Sequence, residues 1–173
     1  MSGEGFTFDL SEEVDKFLGK SSLHVEQTQP RFVLLLGGVC TGKTSMRKAT
    51  YSKDYVVLDA GEIFLNLSRG EYYEFGEMFE QPLDMIGYGV AYKAIRGRRN
   101  IVTELIGSDY GPTKSVIDAM QSLGYKVEVI GVDCDLEVAM ARNLNRGLDN
   151  ISAHFTDPYH IRWLLQAAAE NVS

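Results

Sequence analysis

The order of apolar and polar positions divides the chain into short strands alternating with helices. Residues 9–18 carry Val14, Phe17 and Leu18 as one apolar stripe, with Asp9 and Glu12 at capping-box spacing and Gly19 placed to stop a helix. A polar connector, 20–30, follows. Residues 32–36 are continuously apolar, the pattern of a strand buried on both faces of a parallel sheet. A helix is expected over 44–52 and a second buried strand over 55–58, ending at Asp59. From 62 to 96 the pattern is helical, with breaks expected at Gly70, Gly76, Pro82, Gly87 and Gly89. A third strand is read at 100–104 and a helix at 114–123, with Val116, Ile117, Met120 and Leu123 on one face. A fourth strand spans 126–132, and helices at 136–144 and 158–169 close the chain.

Strands alternating with helices at these lengths predict an α/β fold of three layers, with a mostly parallel sheet of four to five strands. The expected organisation is an N-terminal helix and connector, 1–30, then one globular domain, 31–173, with a helical insert over about 62–99. Ligands of such sheets bind beyond the carboxyl ends of the strands. Those ends are Gly37, Asp59, Glu104 and Asp133, so three of the four are acidic.

Composition narrows this only a little. A chain of 173 residues, 45% of them hydrophobic, can bury a core without disulfides. Its two cysteines, Cys40 and Cys134, are too few for a secreted framework and point to a reducing, cytoplasmic setting. The acidic N-terminal stretch is not the pattern of a secretory leader, and no run approaches the ~20 apolar residues of a membrane span. A net charge of −7 argues against a nucleic-acid partner held by broad electrostatics.

The candidate chemistry begins where the first strand ends. Gly37-Gly38-Val39-Cys40-Thr41-Gly42-Lys43-Thr44 fits G-x-x-x-x-G-K-[ST], between a buried strand and a helix. Glycines let successive backbone N–H groups turn inward around an anion, and the helix N-terminus adds its positive end. Lys43 is placed for the β- and γ-phosphates and the Thr44 hydroxyl for Mg²⁺. Cys40 within this loop is either a small side chain that fits or a thiolate whose oxidation blocks nucleotide. The N-K-x-D motif of GTPases and the L-S-G-G-Q motif of ABC ATPases are absent, leaving a small kinase, with ATP, or GTP, as phosphate donor.

The residues also resemble a known family, the zeta toxins of bacterial toxin–antitoxin systems and their relatives such as chloramphenicol phosphotransferase. The likeness runs from about Phe32 to Arg146. "LLLGGVCTGKTSMRKA" is similar to the family's phosphate loop and helix, including Ser45 and Arg47. "VVLDAGEIF" is similar to the turn carrying its catalytic aspartate, and "NIVTELIGS" and "AMQSLGYKVEVIGVDCDLEVAMARNLNRG" follow its next strands and lid. The resemblance implies a P-loop kinase that uses ATP and Mg²⁺ to phosphorylate a hydroxyl of a small molecule, UDP-N-acetylglucosamine in the family.

Carried over residue by residue, it makes Asp59 or Glu62 the general base, because Asp59-Ala60-Gly61-Glu62 replaces the family's D-N-D. The same pair is open to reading as a helix capping box. Glu104 and Ser108 fall at substrate-binding positions, although Ile106 and Ser108 stand where the family has threonine and arginine. Arg146 falls at the first lid arginine, with Arg142 one turn earlier on the nucleotide side, and His154 and Arg162 are candidates for the second. Aromatics of the insert are mostly core, with one or two free to stack on an acceptor. An antitoxin-like protein or a homo-oligomer is the expected partner. The alternative is a nucleotide-binding regulatory module without productive transfer.

Overall fold

The computed structural model describes residues 7–19, 29–38, 41–69, 77–105 and 110–144. Ten elements follow in order: α1 (Leu10–Leu18), β1 (Arg31–Leu36), α2 (Lys43–Thr50), β2 (Tyr55–Leu58), α3 (Ala60–Ser68), α4 (Glu77–Arg96), β3 (Asn100–Leu105), α5 (Tyr110–Ser122), β4 (Lys126–Gly131) and α6 (Leu136–Leu144). The expected helix over 158–169 lies outside the described residues.

The four strands pair in parallel in the order β2-β3-β1-β4. This is the expected α/β architecture, and the apolar run of β1 explains its centre. Flanked on both sides, β1 is buried from Phe32 to Leu36. Successive side chains of a strand point to opposite faces. Phe32, Leu34 and Leu36 therefore join a cluster with Ile63, Phe64 and Leu67 of α3, Ile86 and Val90 of α4 and Met120 of α5. Val33 and Leu35 face the other way, packing with Val102, Tyr51 and Met46 below α2. Helices thus cover both faces of the sheet.

Two expectations from the pattern are corrected. The strand read as buried at 55–58 is an edge strand, with only Val56 fully buried. Tyr55, Val57 and Leu58 are only half-buried, packing against the two core clusters on either face of the sheet. The breaks expected at Pro82, Gly87 and Gly89 do not occur, because α4 runs unbroken for 20 residues through all three. Pro82, six residues in, removes a single donor, and packing of Ile86, Val90 and Ala94 on the core outweighs the propensity cost of the glycines. Gly89 also has a packing purpose. A Cβ there would stand 2.7 Å from Val14 Cγ2, so the bare glycine forms the notch into which α1 seats Val14. Smaller differences occur at the ends: α5 begins at Tyr110 rather than 114, since Pro112 lies in a first turn whose N–H groups need no partner.

The short helix α1 forms as its sequence indicates. Asp9 accepts from the Glu12 N–H at 2.9 Å, and Gly19 ends the helix at φ 67°. An exposed pair between Lys93 and Asp15, 3.0 Å, ties α1 to α4 beside the Val14 contact.

Candidate active site

The site is built where β1, β2 and β3 end. Beyond Leu36 the chain turns at Gly37, whose N–H donates to Leu105 O at 3.2 Å. A Cβ at Gly37 would meet Val132 O at 2.2 Å, so only glycine fits. The Thr41 hydroxyl donates to Gly38 O at 2.8 Å and closes the loop. Gly42 caps α2 in the left-handed region at φ 108°, a conformation that favours glycine. It offers no side-chain oxygen, so no cap occupies the first amides of α2. That is the arrangement of a helix end prepared for an anion. Val39 and Cys40, and with them both readings of the loop thiol, lie outside the described residues.

Lys43 opens α2 with its ammonium turned onto its own loop, donating to Gly37 O at 2.7 Å and Gly38 O at 2.6 Å. The next residue faces the sheet. Thr44 Oγ1 donates to Glu104 Oε1 at 2.8 Å. Three positions on, and hence on the same face of the helix, Arg47 donates from Nε to Glu104 Oε2 at 2.6 Å and from its terminal nitrogen to Glu62 Oε1 at 2.9 Å. Ser45, between them, is exposed on α2.

Sheet register brings these groups together. Leu35 pairs with Glu104, so the carboxylate emerges beside the last residues of β1, immediately under the loop. The side chains of Arg47 and Glu104 are only 5% and 7% exposed. Burial alone would lower the Arg47 pKa, but its bonds to Glu104 and Glu62 outweigh that and raise it, so the guanidinium is permanently charged. A buried charge of this kind is tolerated because both of its neighbours are carboxylates.

Asp59 ends β2 and caps α3, accepting from the Glu62 N–H at 3.1 Å. The capping reading of the Asp-x-x-Glu pair is therefore correct for Asp59, while Glu62 spends one oxygen on Arg47. Burial first, and the nearby negative charge of Glu104 second, raise the Asp59 pKa. The bond from the Glu62 amide and the charge of Arg47 work in the opposite direction. A carboxylate pushed upward toward neutrality is a better proton acceptor than one held far below it.

Thr44, Glu104, Arg47, Glu62 and Asp59 thus form one contiguous polar cluster at the carboxyl edge of the sheet. The exposed Arg142 lies on α6. Arg146, Ser108, His154 and Arg162 lie outside the described residues. Sequence reasoning gave Arg47 no chemical role, although it is the centre of the cluster. Its spacing from Thr44 in an otherwise solvated helix was the signal available.

Among the described residues, no group of three or more His, Cys, Asp or Glu side chains is arranged to hold a metal. The Thr44 hydroxyl and Glu104 carboxylate, 2.8 Å apart, are nevertheless oxygen donors of the kind Mg²⁺ accepts when phosphates complete its shell.

A phosphate loop feeding a helix, with acidic residues closing the neighbouring strands of a parallel sheet, defines a P-loop kinase-like α/β protein. The model of the Zeta toxin family matches residues 14–171, and the chain belongs to that family. Solved structures share the fold at low identity. One, from the PezAT chromosomal toxin–antitoxin system of Streptococcus pneumoniae, is 17% identical with a TM-score of 0.63, covering 94% of this chain and 68% of that one. A candidate kinase from Chloroflexus aurantiacus is 16% identical with a TM-score of 0.60, covering 82% and 79%. An AvrRxo1-ORF1:-ORF2 complex with ATP is 17% identical with a TM-score of 0.54, and this chain spans 95% of itself but 56% of that chain. A sequence comparison with curated proteins found no match. No helix among the described residues is long and apolar enough to cross a membrane.

Proposed function

We propose that the protein is an ATP-dependent phosphotransferase that moves the γ-phosphate to a hydroxyl of a small molecule, with a nucleotide-sugar such as UDP-N-acetylglucosamine as the first acceptor to test. The observation that carries this reading is the placement of Asp59, Glu62 and Glu104 beside Lys43 and Thr44 at one sheet edge. A phosphate cradle alone binds; a cradle beside carboxylates can also accept a proton.

In this reading the amides of Gly37 to Thr44 clasp the phosphates, and Lys43 exchanges two carbonyl partners for phosphate oxygens. Mg²⁺, bound through Thr44, supplies neutralisation of charge on the β- and γ-phosphates. Asp59 or Glu62 takes the acceptor proton and orients its oxygen for in-line attack. Arg146 is assigned to the transferring phosphoryl and Arg142 to the nucleotide. Localisation in the cytoplasm follows from the chemistry, since ATP is the donor. An antitoxin-like partner is supported by neighbours whose descriptions name toxin–antitoxin and two-protein complexes.

The test is transfer of labelled γ-phosphate from ATP across a metabolite panel that includes UDP-N-acetylglucosamine. Lys43→Ala is expected to lower turnover roughly 10²–10³-fold, the usual effect of deleting one preorganised donor. Slow hydrolysis with no labelled acceptor would favour the second reading, a nucleotide-binding regulatory module. That reading draws on Ile106 and Ser108, which replace the family's threonine and arginine.

A further inference from the structure

The helix α4 presents two faces of opposite character. Ile86, Val90 and Ala94 are fully buried against the core, while on the other side Tyr88 is 74% exposed, Tyr92 49% and Met85 42%. Single exposed apolar side chains are ordinary on a protein surface, but a contiguous stripe of large ones marks an interaction surface. Tyr88 and Tyr92 are also set against each other, their rings stacked with centroids 6.3 Å apart at an angle of 14°. Arg96 continues the row. Its guanidinium carbon lies 5.5 Å from the Tyr92 ring centre, and its Nη1 donates to the Tyr92 hydroxyl at 2.9 Å. Side chains already held in place lose less freedom on association than mobile ones.

Asp84 lies one turn before Tyr88, so the row reads Asp84, Tyr88, Tyr92, Arg96 at four-residue spacing on one side of the helix. Its two charged ends stand about 18 Å apart along the helix axis and cannot pair with each other. Among the described residues neither has an ion-pair partner, whereas Lys93, on the flank toward α1, is paired with Asp15. The row is its own complement. A two-fold axis perpendicular to the helix, midway between Tyr88 and Tyr92, sets position 84 opposite 96 and position 88 opposite 92 of a second copy. The row drifts about 40° around the helix at each step, and the same axis carries that drift onto itself. Each Asp84 then meets the Arg96 of the other copy, and the tyrosines form one aromatic layer between the two helices.

We propose that two copies of the chain associate through the outer face of α4, packed antiparallel about this axis. A partner of unrelated sequence would have to supply a base and an acid at the same separation; a second copy supplies both. Tyr, Met and Arg are the side chains enriched at such contacts. The inference stands apart from the phosphotransferase reading, because α4 contributes none of the polar cluster at the carboxyl edge of the sheet.

Sedimentation equilibrium of the full chain over a wide range of concentration gives the dimerisation constant. Tyr88→Ala is expected to weaken it roughly 10²-fold, because symmetry removes the contact twice. Asp84→Arg and Arg96→Asp each set like charges face to face at both ends of the row, and each should weaken it roughly 10-fold or more. Mixing those two variants in equal amounts restores opposite charges at both ends, and recovered association in the mixture is the expected result. In a parallel contact each position would meet its own copy, and mixing would not restore both ends. Thermal transitions show whether each variant folds, and Tyr88→Ala serves if a charge variant does not. A wild-type chain that stays monomeric throughout overturns the proposal and leaves the face to a partner of another sequence. A dimer indifferent to all three substitutions, or charge variants that do not associate on mixing, overturns it as well.

Discussion

Asp59 caps α3 and is, in the proposed reading, one of two candidates for the base, and the two requirements conflict. As the cap of α3 it needs only an oxygen acceptor; as a base it must carry charge beside buried Glu104. Burial and the neighbouring charge of Glu104 hold the Asp59 pKa above the usual value, which gives the conflict a sign. A carboxyl whose folded pKa lies above the unfolded value of about 3.9 favours the folded state most when protonated, and that contribution is lost as pH rises through the folded pKa. Asn retains the cap without the charge. Asp59→Asn is therefore expected to melt at a higher temperature than wild type at pH 7. The difference should shrink as pH falls below the raised pKa and vanish only well below the unfolded value of about 3.9, where the aspartic acid is neutral in both states. Thermal transitions across pH 3–8 check this, and equal melting of the two proteins at pH 7 would contradict it. Much of the loop was legible at this scale, because glycine and lysine at fixed spacing leave few alternatives. The Arg47 cluster was not: its partners lie 15 and 57 residues away and meet only through sheet register.

Among the elements, β1 could be read directly because a strand buried on both faces needs no polar position. The edge position of β2 could not, since its four apolar residues look the same whether strands or helices cover them. The unbroken α4 shows tertiary packing overriding local breakers. Its Gly89 is a complementary surface rather than an interruption, and this gives a specific expectation. Gly89→Leu would force Val14 and α1 away from α4 and is expected to lower stability by about 1–3 kcal/mol, the usual result of overpacking. Denaturant unfolding followed by circular dichroism measures it. A second change, Val14→Gly, should recover part of the loss in the double variant, and strict additivity would show that the two positions do not touch. Because α1 braces the helical insert instead of the phosphate loop, ATP affinity should change little in Gly89→Leu.

For the molecule as a whole, family membership and fold set the kinase frame, while the acceptor depends on segments that diverge from the family pattern. Ile106 and Ser108 stand where the resembled family has threonine and arginine, so under the proposed reading the acceptor panel should extend beyond UDP-sugars. If the chain acts as its family name implies, its expression should slow growth of a bacterial host. Lys43→Ala should relieve that slowing, because loss of the ammonium disables phosphate binding without disturbing the core. Equal slowing by both proteins would trace toxicity to something other than phosphate transfer. The acidic net charge directs attention to small-molecule acceptors before nucleic acid.

The most direct measurement is a calorimetric titration of the pure chain with ATP and Mg²⁺, set beside the same titration of Lys43→Ala. Saturable heat in the wild type that is strongly diminished in the variant is the predicted result. No heat in the wild type, or identical binding in the two, would mean that the loop from Gly37 to Thr44 does not hold phosphate.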